Sequence, residues 1–308
     1  MITLTEIRYV VALAHEKHFG RAASRCFVSQ PTLSLAIKKV ESRLNAALFE
    51  RMAEGVSLTP FGQSFLPQAE RVLEEALHLK ELAQTAANPL SGPLRIGVIY
   101  SVAPYLLPPL VVAMHQRAPQ MPLFLKEDFT QQLIFDLKSD AIDIAILALP
   151  INEPGLVTKP LYEEDFCVIA PKNHPFSKHK KIKRAMLDEA PVLLLGQGNC
   201  FRDQVLESCP NLNKNEQPLS GIEGNSLETL RYMVASGVGV AIVPMSALNP
   251  KMQKNDLICS IPFDNPVPHR TIALVWRVSF PRNQTIDVLQ SAILSCALFG
   301  VRPLIKNA

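Results

Sequence analysis

The chain has 308 residues, 48% apolar and 19% charged, which excludes a disordered protein and fits a globular one of two or three domains. It holds no run of about 18 apolar residues and opens on polar Thr3, Thr5 and Glu6, so neither a membrane span nor a signal peptide is expected, and a cytoplasmic address follows. Its net charge of +3 lies wholly in residues 1–60, with 8 Lys/Arg against 5 acids, as a nucleic-acid-binding head on a neutral regulatory or catalytic body would give.

Leu4, Ile7, Val11 and Ala14 recur at helical spacing over residues 4–17, and the small pair Ala22-Ala23 between Gly20 and Phe27 marks a second, short helix that a neighbour can cross closely. Ser29-Gln30-Pro31-Thr32 supplies a cap with proline in the first turn. Leu33, Ala36, Ile37, Val40 and Leu44 then form the apolar face of a third helix, whose other face carries Thr32, Ser34, Leu35, Lys38 and Lys39. This arrangement lays a recognition helix in the DNA major groove. The same spacing fits a helical subdomain whose polar face meets only solvent. Leu48-Phe49-Glu50-Arg51 and Val56-Ser57-Leu58, separated by Glu54-Gly55, predict a short hairpin or wing.

The order of residues separates the two readings. Phe19-Gly20-Arg21-Ala22-Ala23, Val28-Ser29-Gln30-Pro31-Thr32-Leu33-Ser34, Leu44 through Arg51, and Leu58-Thr59-Pro60-Phe61-Gly62 closely resemble the winged helix-turn-helix head of LysR-type transcriptional regulators. The resemblance implies a DNA-binding domain over residues 1–59. It places Ser29, Gln30, Pro31, Thr32, Ser34, Lys38 and Lys39 at or near the groove and Arg51 on the wing, with promoter DNA and RNA polymerase as partners.

From Pro60 to Ala87 the apolar residues Phe65, Ala69, Val72, Ala76, Leu79, Ala83 and Ala86 recur at alternating steps of four and three, a heptad seam. It predicts a linker helix over 60–88 that joins a homo-oligomer, a dimer or tetramer, and sets half-site spacing; packing on its own body is the alternative. Asn88-Pro89-Leu90-Ser91-Gly92-Pro93 reads as a hinge.

Beyond the hinge, strands and helices alternate: strand 94–98, helix 104–117, strand 123–127, helix 130–138, strand 142–149, strands 167–171 and 192–195, helix 226–235, strand 238–243, strand 271–276 and helix 285–299. That alternation predicts a parallel sheet flanked by helices. Two such lobes place a ligand or sensor cleft between them. The pattern resembles the α/β effector domain of the same family, itself similar to periplasmic binding proteins. It divides residues 92–308 into a first lobe of about 92–162 and 268–308 and a second of about 163–267.

No Walker loop, dinucleotide fingerprint, His-x-x-x-His pair or G-x-S-x-G occurs, so no enzyme is expected, and the seven histidines lack metal spacing. Neither metal nor cofactor is expected. Gly237-Val238-Gly239 precedes a strand and reads as packing, and Lys178-His179-Lys180-Lys181-Ile182-Lys183-Arg184 reads as a solvated loop.

Six cysteines are too few for a disulfide scaffold. Cys26, Cys167, Cys259 and Cys296 sit in apolar contexts as small hydrophobes. Cys200 instead follows Gly196-Gln197-Gly198-Asn199 at a predicted helix start with Arg202 nearby, where the helix dipole and a cation favour thiolate. In one continuous helix, Cys209 would lie about 13 Å along the axis and on the opposite face, and a disulfide needs Cα atoms within about 7 Å. Bridging them would therefore require the segment to unwind. Two unrelated buried thiols is the other reading.

Leu193 through Gln204 with Cys209, Gly97 through Pro108, and Ser226-Leu227-Glu228-Thr229-Leu230-Arg231 closely resemble the peroxide-sensing members of the family, over residues 2–300. The resemblance implies that hydrogen peroxide is the signal, that Cys200 is oxidised to a sulfenic acid, and that Cys209 resolves it as a disulfide. It also implies that Thr130, Arg202 and Asp203 hold the peroxide. Ser101 stands where the family has threonine and Asn199 where it has histidine, so the first keeps a hydroxyl and the second a hydrogen-bonding group that cannot take up a proton. A metabolite-sensing LysR-type regulator and a thiol peroxidase are the alternatives.

Overall fold

The structure, a computed structural model, describes residues 2–52, 55–213, 226–248 and 257–304. The chain divides into two compact units, Met1–Ala87 and Asn88–Ala308.

The first unit holds α1 (Leu4–Glu16), α2 (Phe19–Arg25), α3 (Gln30–Leu44), the antiparallel pair β1 (Phe49–Met52) and β2 (Gly55–Leu58), and α4 (Pro60–Ala87). Thr3 and Glu6 form a reciprocal capping box on α1, and the Ser29 hydroxyl accepts from the Thr32 amide at the start of α3. Ala22 and Ala23 are fully buried, so α2 lies close against its neighbours, and Leu13, Leu33, Ile37, Val40 and Leu48 fill the centre. The buried face of α1 turns on Val10 and Leu13, leaving the expected Leu4 half-exposed. Cys26 lies just past α2 as its C-cap, buried as expected. Along α4, Ala69 is buried and His15 of α1 meets Glu70 at 2.8 Å. Val72 and Leu79 face outward, so that part of the seam is uncovered; the side chains of Ala83 and Ala86 lie outside the described residues, as do Glu54 in the predicted turn and the Arg51 side chain.

The second unit contains β3 (Leu94–Ile99), α5 (Ala103–Arg117), β4 (Leu123–Asp128), α6 (Thr130–Lys138), β5 (Ile144–Ala148), β6 (Leu156–Pro171), β7 (Val192–Leu193), α7 (Cys200–Ser208), α8 (Leu227–Ala235), β8 (Val240–Pro244), β9 (Ile258–Pro262), β10 (His269–Arg277), α9 (Asn283–Ser295) and β11 (Val301–Pro303). The sheet order is β4-β3-β5-β10-β6-β8-β7, with β9 and β11 also pairing with β6. The expected parallel sheet is only partly realised. β3 is parallel to β4 and β5, and β7 to β8, whereas β10 runs antiparallel to β5 and β6, and β6 to β8.

Three expected elements change. Residues 167–171 are only the end of the 16-residue β6, strand 192–195 shortens to two residues, and the last helix ends at Ser295. β6 escapes a periodicity reading because it serves two cores in turn. Leu161 and Tyr162 belong to the first cluster with β3, β5 and α9, and Phe166 through Ala170 to the second with β8 and α7. The acidic stretch Glu163-Glu164-Asp165 carries the strand from one to the other. In the second cluster a Cβ on Gly239 would fall 2.4 Å from the Pro191 carbonyl oxygen, so that glycine is a packing requirement. The tract 178–184 is exposed except for Ile182, which anchors it.

Candidate functional site

The chain leaves β7 through buried Leu195, turns at Gly198 (φ +84°), and starts α7 at Cys200. The helix has two faces. Phe201, Val205 and Cys209, four residues apart, are buried in the second core, while Cys200, Asp203, Gln204 and Glu207 line a cavity between the lobes. Across that cavity of about 260 Å³ stand Thr130, Gln131 and Ile134 of α6 and the segment from Ala148 to Glu153. The end of β5 and the starts of α6 and α7 thus converge where open α/β sheets bind their ligands.

Cys200 is half-buried and packs against the first core, whereas Cys209 caps the far end of α7 and is 5% exposed in the second. Both are free thiols. Burial pushes the Cys209 thiol up, offset in part by Arg184. The same desolvation raises Cys26, Cys259 and Cys296, and takes Cys167 to about 12.

Three polar atoms near Cys200 have no hydrogen-bond partner among the described residues: the buried hydroxyl of Thr130, at the first turn of α6, the amide nitrogen of Asn199, a residue 4% exposed, and Gln204 Oε1, on the helical face of Cys200. Unpaired buried groups cost about 1–3 kcal/mol each, so their persistence beside a thiol fits a polar ligand. Arg202 donates to the Leu195 carbonyl oxygen at 2.7 Å, tying the start of α7 to the strand exit. Of the residues expected around the peroxide, Thr130 and Asp203 line the cavity with Cys200. Ser101, Asn199 and Arg202 are not on its lining.

Ser101 is held from behind. Its hydroxyl accepts from Arg270 Nη1 at 2.7 Å, and Arg270 Nε donates to Glu164 Oε1 at 2.7 Å. Ser246 donates to the other Glu164 oxygen at 2.5 Å. This ion pair is almost fully buried, 3% and 0% exposed, at the point where β6 crosses between the cores. Over its guanidinium lies the ring of Phe201, 4.8 Å from Cζ to centroid, and the ring's other neighbour is Phe166. Nearby, Tyr105 of α5 donates to Glu228 of α8 at 2.9 Å, and Arg231 donates to both Glu228 oxygens. Burial and the Glu228 carboxylate push the Tyr105 phenol far up. Sequence reasoning missed Arg270, Glu164, Gln204 and Glu207. Their signals were present: Gln204 and Glu207 share the helical face of Cys200, and Glu164 and Arg270 are charges embedded in strands.

In the first unit, Gln30, Pro31, Thr32, Lys38 and Lys39 of α3 are exposed and Ser34 is half-buried. The Ser29 and Thr32 hydroxyls hydrogen-bond each other at 2.7 Å, so Ser29 acts as a cap. No helix among the described residues is long and apolar enough to cross a membrane.

Residues 4–63 match the bacterial regulatory helix-turn-helix protein family, lysR family, and residues 87–295 match the LysR substrate binding domain. The chain is 38% identical over 292 residues to the DNA-binding transcriptional dual regulator OxyR of Escherichia coli, covering 95% of each. Among solved structures it is similar to a cysteine-to-aspartate variant of full-length OxyR from Pseudomonas aeruginosa (46% identity, TM-score 0.66, 97% of this chain and 100% of that one). It is also similar to a cysteine-to-serine mutant of Corynebacterium glutamicum OxyR with hydrogen peroxide bound (32%, TM-score 0.64, 96% and 92%). With a winged helix-turn-helix head, a long linker helix and a two-lobed α/β effector domain, the chain belongs to the LysR family of bacterial transcriptional regulators.

Proposed function

We propose that the chain senses hydrogen peroxide through Cys200 and Cys209 and regulates transcription from promoter DNA, as a cytoplasmic homo-oligomer, dimer or tetramer, acting with RNA polymerase. Carrying the proposal is one observation: the Cys200 thiol shares its cavity with the unpartnered Thr130 hydroxyl, at one end of a helix whose other end buries a second thiol.

The thiolate of Cys200 attacks one peroxide oxygen. An S–O bond forms, the O–O bond breaks, and the second oxygen departs as hydroxide and is protonated to water; sulfur is oxidised and peroxide reduced by two electrons. Thr130 and Asp203 hold the peroxide within the cavity, with Arg202, Asn199 and Ser101 around them and Arg270 fixing Ser101. Cys209 then attacks the Cys200 sulfur, closing the S–S bond as the S–O bond breaks and releasing a second water. Nine residues of helix hold the two sites about 13 Å apart, twice what a disulfide tolerates. Closure therefore unwinds α7, drawing Cys200 from the first core or Cys209 from the second. We assign residues 92–162 and 268–308 to the first lobe and 163–267 to the second, so this refolding alters their junction and, through the 60–88 helix, the spacing of two heads. On DNA, Gln30, Pro31, Thr32, Ser34, Lys38 and Lys39 face the groove, with Ser29 capping their helix and Arg51 on the wing.

Mass spectrometry of rapidly quenched full-length protein tests this. One equivalent of peroxide is expected to join Cys200 to Cys209, with a changed DNA footprint. The cavity is several times the roughly 30 Å³ share of one water, which favours a small metabolite there as a second reading. In that case both thiols survive peroxide and the footprint changes only with the metabolite.

A further inference from the structure

The head displays two large apolar side chains that its own core does not use. Phe27 is 94% exposed and Leu35 69% exposed. Leaving such side chains in water forgoes the gain of burying them.

Their positions are specific. Phe27 sits between α2 and α3 with φ +57°, the left-handed region in which a bulky residue is an outlier. Its amide bonds back to the Ser24 carbonyl and that of Val28 to Ala23, so the turn closes a helix C-terminus, a position that favours glycine. An aromatic side chain on a left-handed backbone is therefore held in solvent just ahead of the recognition helix. Strain kept at such a place points to function. Leu35 lies within that helix. At about 100° per residue, Thr32, Leu35, Lys39 and Ser42 fall on one stripe roughly 80° wide, opposite the buried Leu33, Ile37 and Val40, and all four are exposed. An isolated leucine thus interrupts a polar, basic face.

The occupant follows from what surrounds them. Residues 1–60 carry the chain's entire excess of positive charge, and Lys38 and Lys39 flank the leucine. In a DNA major groove the apolar group within reach of such a face is the C5-methyl of thymine, and beside the groove it is the deoxyribose. We propose that Leu35 is a specificity-determining residue that reads a thymine methyl, and that Phe27 packs against the sugar-phosphate backbone, adding affinity without sequence preference. This rests on the DNA-binding half of the function proposed above.

The test begins with full-length protein and a random-sequence duplex pool. Absence of any enriched sequence defeats the DNA-binding reading itself. With an enriched site in hand, each thymine is replaced by deoxyuridine, deleting one methyl at a time, and binding is followed by anisotropy. At one or two positions the loss is expected to weaken binding about fourfold, the value of one buried methyl. L35A should bind the thymine and deoxyuridine duplexes equally at those positions. F27G should melt a few degrees higher as the left-handed strain is relieved, yet bind every duplex several-fold more weakly. A merely structural role moves stability and affinity the same way. The proposal is overturned if L35A keeps the full methyl sensitivity, if F27G binds undiminished, or if F27G changes only the oligomer mass, which would give the face to a second copy of the chain.

Discussion

The two ends of α7 live in opposite surroundings. At its start, Cys200 is half-buried beside a cavity, with unsatisfied polar groups near it and a buried ion pair behind Phe201. At its end, Cys209 lies in an apolar core that holds the thiol neutral. The difference teaches that one helix can keep two thiols in unlike surroundings, one beside a polar cavity and one in an apolar core; on the function proposed above, the first would meet the oxidant and the second would wait.

Replacing each end separately breaks the comparison most sharply. Cys200→Ser should cut the peroxide-dependent rate by more than about a thousandfold, the scale of losing a nucleophile. Cys209→Ser should still consume one equivalent and stop at a sulfenic acid that dimedone labels. Equal loss in both would mean the ends are equivalent.

The ion pair behind Phe201, at the start of α7, gives the next largest effect. Arg270→Met strands the Glu164 carboxylate, itself 0% exposed, and should lower stability by about 3–5 kcal/mol in urea unfolding of the full chain. Changing Glu164→Leu in the same protein should restore most of it, because no uncompensated charge remains.

Thr130→Val separates reactivity from stability. Removing the unpartnered hydroxyl should leave the unfolding midpoint unchanged or higher by about 1 kcal/mol, while Cys200 oxidation slows by about a hundredfold, the scale of losing one transition-state donor. Stopped-flow kinetics and chemical unfolding of the same variant measure the two.

A smaller effect marks the waiting end. Folded-state values of Cys209 and Cys167 lie above the ordinary thiol value of 9.0, so these groups stabilise the fold below about pH 9 and lose that contribution as pH rises toward their folded values, about 12 for Cys167. Unfolding free energy should fall by about 1 kcal/mol per pH unit over that window, and Cys167→Ala should flatten the slope. A stability that rises between pH 9 and 11 would contradict the desolvated thiols.

Much of this was legible in the sequence where one pattern served one environment. The helices of the head, the start of α6 at Thr130 and the start of α7 at Cys200 follow from caps, glycines and single periodicities. β6 was legible only at its apolar end, because its first half alternates poorly around Pro160 and its one buried acid, Glu164, takes its partners from β10 and the turn after β8. The Arg270–Glu164 pair joins residues 106 apart in the chain, a distance no local pattern spans. Phe201 was visible as apolar, but not as the ring carrying a guanidinium.

Amide hydrogen exchange across α7, in reduced protein and after one equivalent of peroxide, decides whether the helix unwinds on oxidation. Amides of residues 203–209 are expected to be protected in the reduced form, to lose protection as the Cys200–Cys209 bond appears, and to regain it on reduction. A bond that forms while those amides stay protected would contradict that unwinding.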